Sequence, residues 1–234
     1  MRSPPAIALA ASFALAAVIT SARAKAEGTG PAPAPAIVAT GPAGHWSINT
    51  GETISTGRDA VSLELGWPSI TGGYVHGLSD TADVGFKFDL LFGFEGTTND
   101  NRLGLGFRVP LRLVAMRRDR VSLQLHVDPG LRFYPRSFDN RLLVTFPVGA
   151  TLGIQVLPEL RVALGFDLPL GVAVSGVASP YLLIGPQFGF DLEYLVDKQL
   201  LVGLDTRFGP LIFSITDAST QFAFRTAIVV GYKF

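Results

Sequence analysis

From about residue 60 to the C-terminus, apolar and polar side chains alternate with a period of two. In Asp83–Phe94 the apolar set is Val84, Phe86, Phe88, Leu90, Phe92 and Phe94, and the interleaved set includes Asp83, Gly85, Lys87, Asp89 and Gly93. The same alternation returns in Arg102–Leu113 and Val121–Phe133. It returns again in Leu142–Val156, Leu160–Val174, Leu182–Tyr194, Leu200–Ile212 and Phe222–Phe234. Period two over such lengths is the mark of a strand whose faces meet different surroundings. No stretch of similar length has a helical period, so the region is expected to be all-β.

Turn residues fall into two interleaved sets. One is Leu78–Thr81, Arg117–Asp119, Leu157–Glu159 and Val196–Lys198. The other is Glu95–Asp100, Pro135–Asn140, Ser175–Ser179 and Thr216–Thr220. Each set recurs roughly every 40 residues, a constant hairpin period and therefore an internal repeat. Stepping back one period predicts strand one over His45–Ile54, with Glu52 on its apolar face. Strand two is then expected over Ala60–Gly77, broken in its alternation at Trp67–Pro68. The total is about ten antiparallel strands. Seven prolines fall inside them: Pro68, Pro110, Pro129, Pro147, Pro169, Pro186 and Pro210. Proline cannot donate to a ladder, and the constant period predicts bulged strands there rather than shorter ones.

Composition bears on which face is the inner one. The chain has 234 residues and a formal net charge of +0; 48% are hydrophobic and only 16% charged, against about 25% in ordinary soluble domains. The apolar face is nearly free of charge, and the polar face is sparse in it. Aromatics crowd the strand ends: Phe92, Phe94, Phe133, Tyr134, Phe190, Tyr194, Tyr232 and Phe234. Runs this long exceed what crosses a bilayer at a tilt, and aromatic girdles mark its two interfaces. These features predict a closed antiparallel up-and-down transmembrane β-barrel with its apolar face outward and polar face in the lumen. Zero net charge and the lack of a basic cluster exclude nucleic acid as an expected partner. The absence of cysteine removes disulfides and thiolate chemistry.

The first 26 residues read as a secretory signal peptide. Arg2 supplies the positive charge, Ala6–Thr20 the apolar core, and Ala22-Arg23-Ala24 and Ala24-Lys25-Ala26 the small-x-small cleavage sites. Residues 27–44 form a Pro/Ala-rich leader without a core-forming pattern. The barrel is assigned to 45–234.

The last strand, Phe222–Phe234, alternates and ends in Phe with Tyr two residues before. This resembles the C-terminal signal of bacterial outer-membrane β-barrels. The resemblance implies an outer-membrane location, contact with outer-membrane lipid, and recognition of Tyr232 and Phe234 by the barrel insertion machinery. It also implies that the short loops near Ser55, Glu95, Pro135, Ser175 and Thr216 face outward, with Glu95, Asp100, Arg136, Asp139 and Asp217 at their rim.

On the inward register lie Lys87, Arg108, Arg112, Arg132, Arg161, Arg207 and Arg225, with Asp89, Asp128, Asp167, Asp191, Glu193 and Asp205. Glu64 and Lys233 share that register. Hairpin geometry sets Arg108 opposite Asp128 and Arg161 opposite Glu193. Such charges either fill a narrow lumen as salt bridges or ring a selective pore. The three histidines, His45, His76 and His126, lack a nucleophile at a convincing position, and no spacing suggests a metal site. The expected function is therefore non-enzymatic: a structural barrel or one passing small solutes, without a cofactor. A barrel enzyme using His76 or His126 is the alternative.

Overall fold

A computed structural model describes residues 46–97, 100–135, 140–175, 181–214 and 219–234. The signal peptide, the leader, His45, Arg136, Asp139 and Asp217 lie outside the described residues. The elements are all strands: β1 (Asp59–Trp67), β2 (Ser69–Ser79), β3 (Ala82–Leu91), β4 (Gly104–Arg108) and β5 (Leu111–Arg118). They continue with β6 (Val121–Val127), β7 (Gly130–Tyr134), β8 (Arg141–Thr145), β9 (Val148–Gln155) and β10 (Leu160–Leu168). The last are β11 (Leu170–Ser175), β12 (Tyr181–Ile184), β13 (Gln187–Leu195), β14 (Leu200–Ser214) and β15 (Ser219–Lys233).

All fifteen belong to one antiparallel sheet in the order β12-β11-β8-β7-β4-β3-β2-β1-β15-β14-β13-β10-β9-β6-β5. The two strands at the ends of this order have second partners within it, β12 with β14 and β5 with β3. Along one edge of β3, Lys87–Leu91 pair with β4 and Ala82–Val84 with β5. Along one edge of β14, Leu201–Phe208 pair with β13 and Ile212–Ser214 with β12.

This order corrects the expectation of a closed up-and-down barrel of about ten strands joined in sequence. The reason is chemical. Pro110, Pro129, Pro147, Pro169 and Pro186 each fall between two short strands that do not pair with one another, β4/β5, β6/β7, β8/β9, β10/β11 and β12/β13. A residue without an N–H ends the ladder, so these sites are interruptions and not the bulges expected. Their carbonyls still accept: Val109 N–H donates to Pro129 O and Asp128 N–H to Pro147 O, both at 2.9 Å. Pro68 follows a cis peptide and separates β1 from β2, which pair with each other from Leu65↔Ile70 to Asp59↔His76. The segment expected as strand two is thus two strands folded back on themselves. Only Pro210 remains inside a strand, opposite Phe222. Residues 46–54, expected as strand one, belong to no strand.

The two faces carry the two halves of the alternation. Val61, Leu63, Phe86, Phe88, Leu90, Leu105, Phe107, Leu164 and Phe188 are exposed. Glu64, Asp89, Arg108, Gln124, Asp191 and Arg207 are buried. The sheet encloses its polar face and leaves its apolar face exposed.

Along the strand axis the enclosed face is layered. On β14 alternate buried positions run Leu201, Gly203, Asp205, Arg207, Gly209, Leu211, Phe213: apolar, small, charged, charged, small, apolar, aromatic. At the end with the long connections, here the loop end, Leu91, Phe94, Tyr134, Leu143, Tyr181, Leu183, Leu211 and Phe213 form an apolar cluster. At the end with the tight turns, Trp46, Ile48, Ile54, Ala60, Val75, Leu195, Leu201 and Val229 form another. Phe94 and Tyr134 point inward, 3% and 0% exposed, which corrects their expected place in an outer aromatic girdle.

Candidate functional site

Between the two apolar clusters lies a belt of charge. Arg108 donates from Nε and Nη2 to Asp89, both at 2.8 Å, and from Nη1 to Asp128 at 3.3 Å. Such a two-point guanidinium–carboxylate contact is among the stronger hydrogen-bonded pairs. Arg207 reaches three carboxylates: Asp191 through Nη1 at 2.7 Å and Nη2 at 2.9 Å, Asp167 through Nε at 2.8 Å, and Asp205 at 3.0 Å. Arg225 donates to Asp205 at 2.9 Å, Lys87 to Glu64 at 2.6 Å, and Arg112 to Asp83 at 2.6 Å. Arg132 pairs with Glu95, which also accepts from Tyr134 Oη at 2.8 Å. Lys233 stands over the Trp46 ring.

Burial alone would raise the pKa of Asp89; the charge and hydrogen bonds of Arg108 outweigh it and hold the carboxyl well below the usual range. At Asp167, burial is outweighed by the His126 hydrogen bond and the Arg207 charge, with the same direction. Asp191 and Asp205 face each other across β13 and β14. Burial and the neighbouring Asp205 push the Asp191 carboxyl up, against the hydrogen bonds and charge of Arg207.

Of the thirteen charges expected inward, eleven take part in this belt, and Arg161 and Glu193 contact residues 46–54 instead. The two cross-hairpin pairs differ. Arg108 does reach Asp128, but its main partner is Asp89 on β3. Arg161 and Glu193 are register neighbours, yet neither bonds the other. Both are turned to the segment that the sequence placed in strand one. Glu193 accepts from Ile48 N–H at 3.0 Å, from Asn49 N–H at 2.7 Å and from the Thr50 hydroxyl. Arg161 donates to Thr50 O at 3.2 Å and lies 3.5 Å from Glu52. Arg117 donates to Glu52 from Nε at 2.9 Å, and Gln124 to the Glu52 carbonyl at 3.2 Å. The segment is therefore an inner lining, and its residues are what sequence reasoning missed. Glu52 on a supposed apolar face was the signal for it. Gly153 is another: a Cβ there would come within 2.0 Å of Thr50 O.

A cavity of about 110 Å³ lies between the belt and the loop-end cluster. Arg108, His126, Asp128, Arg132, Asp167 and Arg225 line it on the charged side, and Leu91, Leu183 and Leu211 on the apolar side. A second, of about 60 Å³, lies toward the segment and shares Arg108, His126, Asp128, Asp167 and Arg225. Three buried groups on residues lining the larger cavity have no partner among the described residues: Arg132 Nε, Thr145 Oγ1 and Arg225 Nε.

His126 Nε2 lies 2.7 Å from Asp167, and His76 Nδ1 2.8 Å from Asp59, which also accepts from Tyr74 Oη. Among the described residues, no hydroxyl is bonded to either imidazole, and no group of three or more His, Cys, Asp or Glu is placed to hold a metal ion.

Fold and site together define an all-β protein built on one fifteen-stranded sheet with an enclosed ionic belt. No family model and no curated protein matches the chain. Among solved structures, the outer membrane channel DcaP of Acinetobacter baumannii superposes with a TM-score of 0.34 at 17% identity, over 80% of this chain and 56% of that one. The chain thus spans little more than half of that protein, and a superposition this loose establishes neither shared family nor shared location.

These findings correct the resemblance to outer-membrane β-barrels and what it implied: the outer-membrane location, the lipid partner, and the insertion machinery. Tyr232 and Phe234 have local partners instead. Tyr232 is paired with Val61 on β1 and Leu200 on β14, and the Phe234 N–H donates to Asp59 O at 2.9 Å. The porin-like role is corrected as well, since an apolar cluster occupies the enclosed face at each end of the belt.

Proposed function

We propose that this chain is a non-catalytic binding protein whose larger cavity holds one small polar solute without net charge, a zwitterion or a polyol. The observation that carries this reading is the set of three unpartnered donors, Arg132 Nε, Thr145 Oγ1 and Arg225 Nε, on residues lining one cavity. A buried donor left unmade costs about 1–3 kcal/mol, and a solute bearing acceptors recovers that. At roughly 30 Å³ per water the cavity has room for about four waters, the scale of a small amino acid or a triol. Its guanidinium groups already have carboxylate partners, so a solute of net charge would enter as an unbalanced buried ion. Among the described residues, His76 and His126 are held by carboxylates and no hydroxyl is bonded to either ring.

The test is calorimetric titration with glycine, glycerol, acetate and ammonium. Saturable heat is expected for the first two alone. Thr145→Val keeps the side-chain shape and removes the hydroxyl, and should weaken binding about tenfold, equivalent to about 1.4 kcal/mol. Saturable heat for none of the four, or equal heat from wild type and Thr145→Val, sinks the reading.

A further inference from the structure

The grip on residues 46–54 has a form that the small-solute cavity does not explain. The wall recognises the segment's main chain. Arg112 donates to Ser47 O at 3.2 Å and to Ile48 O, Arg161 to Thr50 O and Gln124 to Glu52 O. In the other direction Ile48 N–H and Asn49 N–H donate to Glu193, and Ile54 N–H to Asp83 at 3.3 Å. Four carbonyls and three amides of a nine-residue stretch are thus met by side chains from β3, β5, β6, β10 and β13.

Side-chain features add selectivity. Glu52, the segment's one charge, is 7% exposed and lies between Arg117 and Arg161. Gly51 has φ +88°, a left-handed backbone that favours glycine, and a Cβ there would stand a tight 3.3 Å from Gly153 N. Trp46 and Ile54, each 0% exposed, anchor the ends in the turn-end cluster. None of these contacts is a ladder bond, and the exposed Thr56–Arg58 turn links the segment to β1.

We infer that the inner wall at the turn end is a peptide-binding site, filled in cis by residues 46–54, that takes the same peptide in trans once the covalent link is cut. Its ligand is a peptide bent over residues 48–51, with one acidic residue directly after a glycine and apolar residues at both ends. Alternating main-chain donors and acceptors suit a polypeptide, and the paired arginines select its acid.

The test uses the full chain with a protease site inserted in the Thr56–Arg58 turn. The folded protein is cut and incubated with excess fluorescent peptide of residues 46–55, and anisotropy and native mass are read. The expected result is one labelled peptide per cut chain, no uptake by the uncut chain, and at least tenfold weaker uptake when the peptide carries Glu52→Gln. A cut chain that takes no labelled peptide overturns the inference, as does one that takes a scrambled peptide equally well. Loss of the sheet on cutting also overturns it, because the segment would then be part of the fold and not its ligand. Glycine and glycerol titrations of the uncut chain are unaffected by any of these outcomes, so this site and the solute cavity stand or fall separately.

Discussion

At the loop end the enclosed face is shut by side chains that the strands and their connections carry themselves: Tyr134 from β7, Leu183 from β12, Phe213 from β14, with Phe94 just past β3. At the turn end Trp46, Ile48 and Ile54 supply much of the apolar seal, and they sit on a stretch outside the sheet. The first seal is packing. Phe94 lies 4.9 Å from the Tyr134 ring and 6.0 Å from the Phe213 ring, distances typical of favourable aromatic pairs. The second is packing held in place by charge-assisted hydrogen bonds to Glu193 and from Arg112, Arg117 and Arg161. One end therefore cannot loosen without weakening the sheet. The other is attached by contacts that a single charge change can weaken.

The strongest way to break this comparison is Phe94→Ala. Truncating a large buried aromatic costs about 3–5 kcal/mol, and the whole of it should appear in global unfolding by denaturant. A loss confined to local exchange near residue 94 would put the loop-end seal in the same class as the segment.

Asp89→Asn probes the belt between the two ends. Removing one partner of a buried pair costs about 3–5 kcal/mol, again in global unfolding. The pH dependence has a definite sign. The Asp89 carboxyl is depressed by Arg108, so its contribution is complete above the unfolded value of about 4 and is lost as pH falls through the lower folded value. The gap between wild type and variant should stay constant from about pH 5 to pH 8 and close only well below about pH 4. A gap that narrows near neutrality rejects the assignment.

Glu52→Gln should act at the other end alone. It weakens the charge-assisted bonds from Arg117 and the ion pair with Arg161, and the former are worth about 1.5–3 kcal/mol. That loss should appear as faster amide exchange of residues 47–54 and easier proteolysis at the Thr56–Arg58 turn, with the global midpoint unchanged. The smallest effect is expected from Trp46→Phe. It keeps a ring in the cluster and removes the 3.1 Å bond to Lys198 O, worth about 0.5–1.5 kcal/mol. A global loss larger than that of Phe94→Ala would reverse the ranking of the two ends.

Much of the sheet was legible because period two reports which side chains share a face, and that depends on local geometry alone. The face carrying Asp89, Arg108 and Arg207 was readable for the same reason. Strand order was not. Five prolines interrupt runs whose alternation continues through them, so Val121–Phe133 looks like one strand although Pro129 ends β6 and β7 pairs elsewhere. The aromatics misled for a related reason: Phe94 and Tyr134 sit where strands give way to connections, and the face a side chain takes there is set by the connection. The partner choices of Arg161 and Glu193 were out of reach, since they depend on a segment more than 100 residues distant whose path no periodicity encodes.

The prolines divide the sheet mechanically. Pro110, Pro129, Pro147, Pro169 and Pro186 lie between successive short strands, and each position lacks the amide that would carry the ladder across. They form a crease through one part of the sheet. The other part holds β14 and β15, each of 15 residues, paired without interruption from Leu200↔Tyr232 to Phe213↔Ser219. A long unbroken ladder opens only cooperatively, whereas short ones open piecewise. The molecule should accordingly bend in one direction more readily than the other, with β14 and β15 as its stiff spine and the creased strands as the flank that yields first under load.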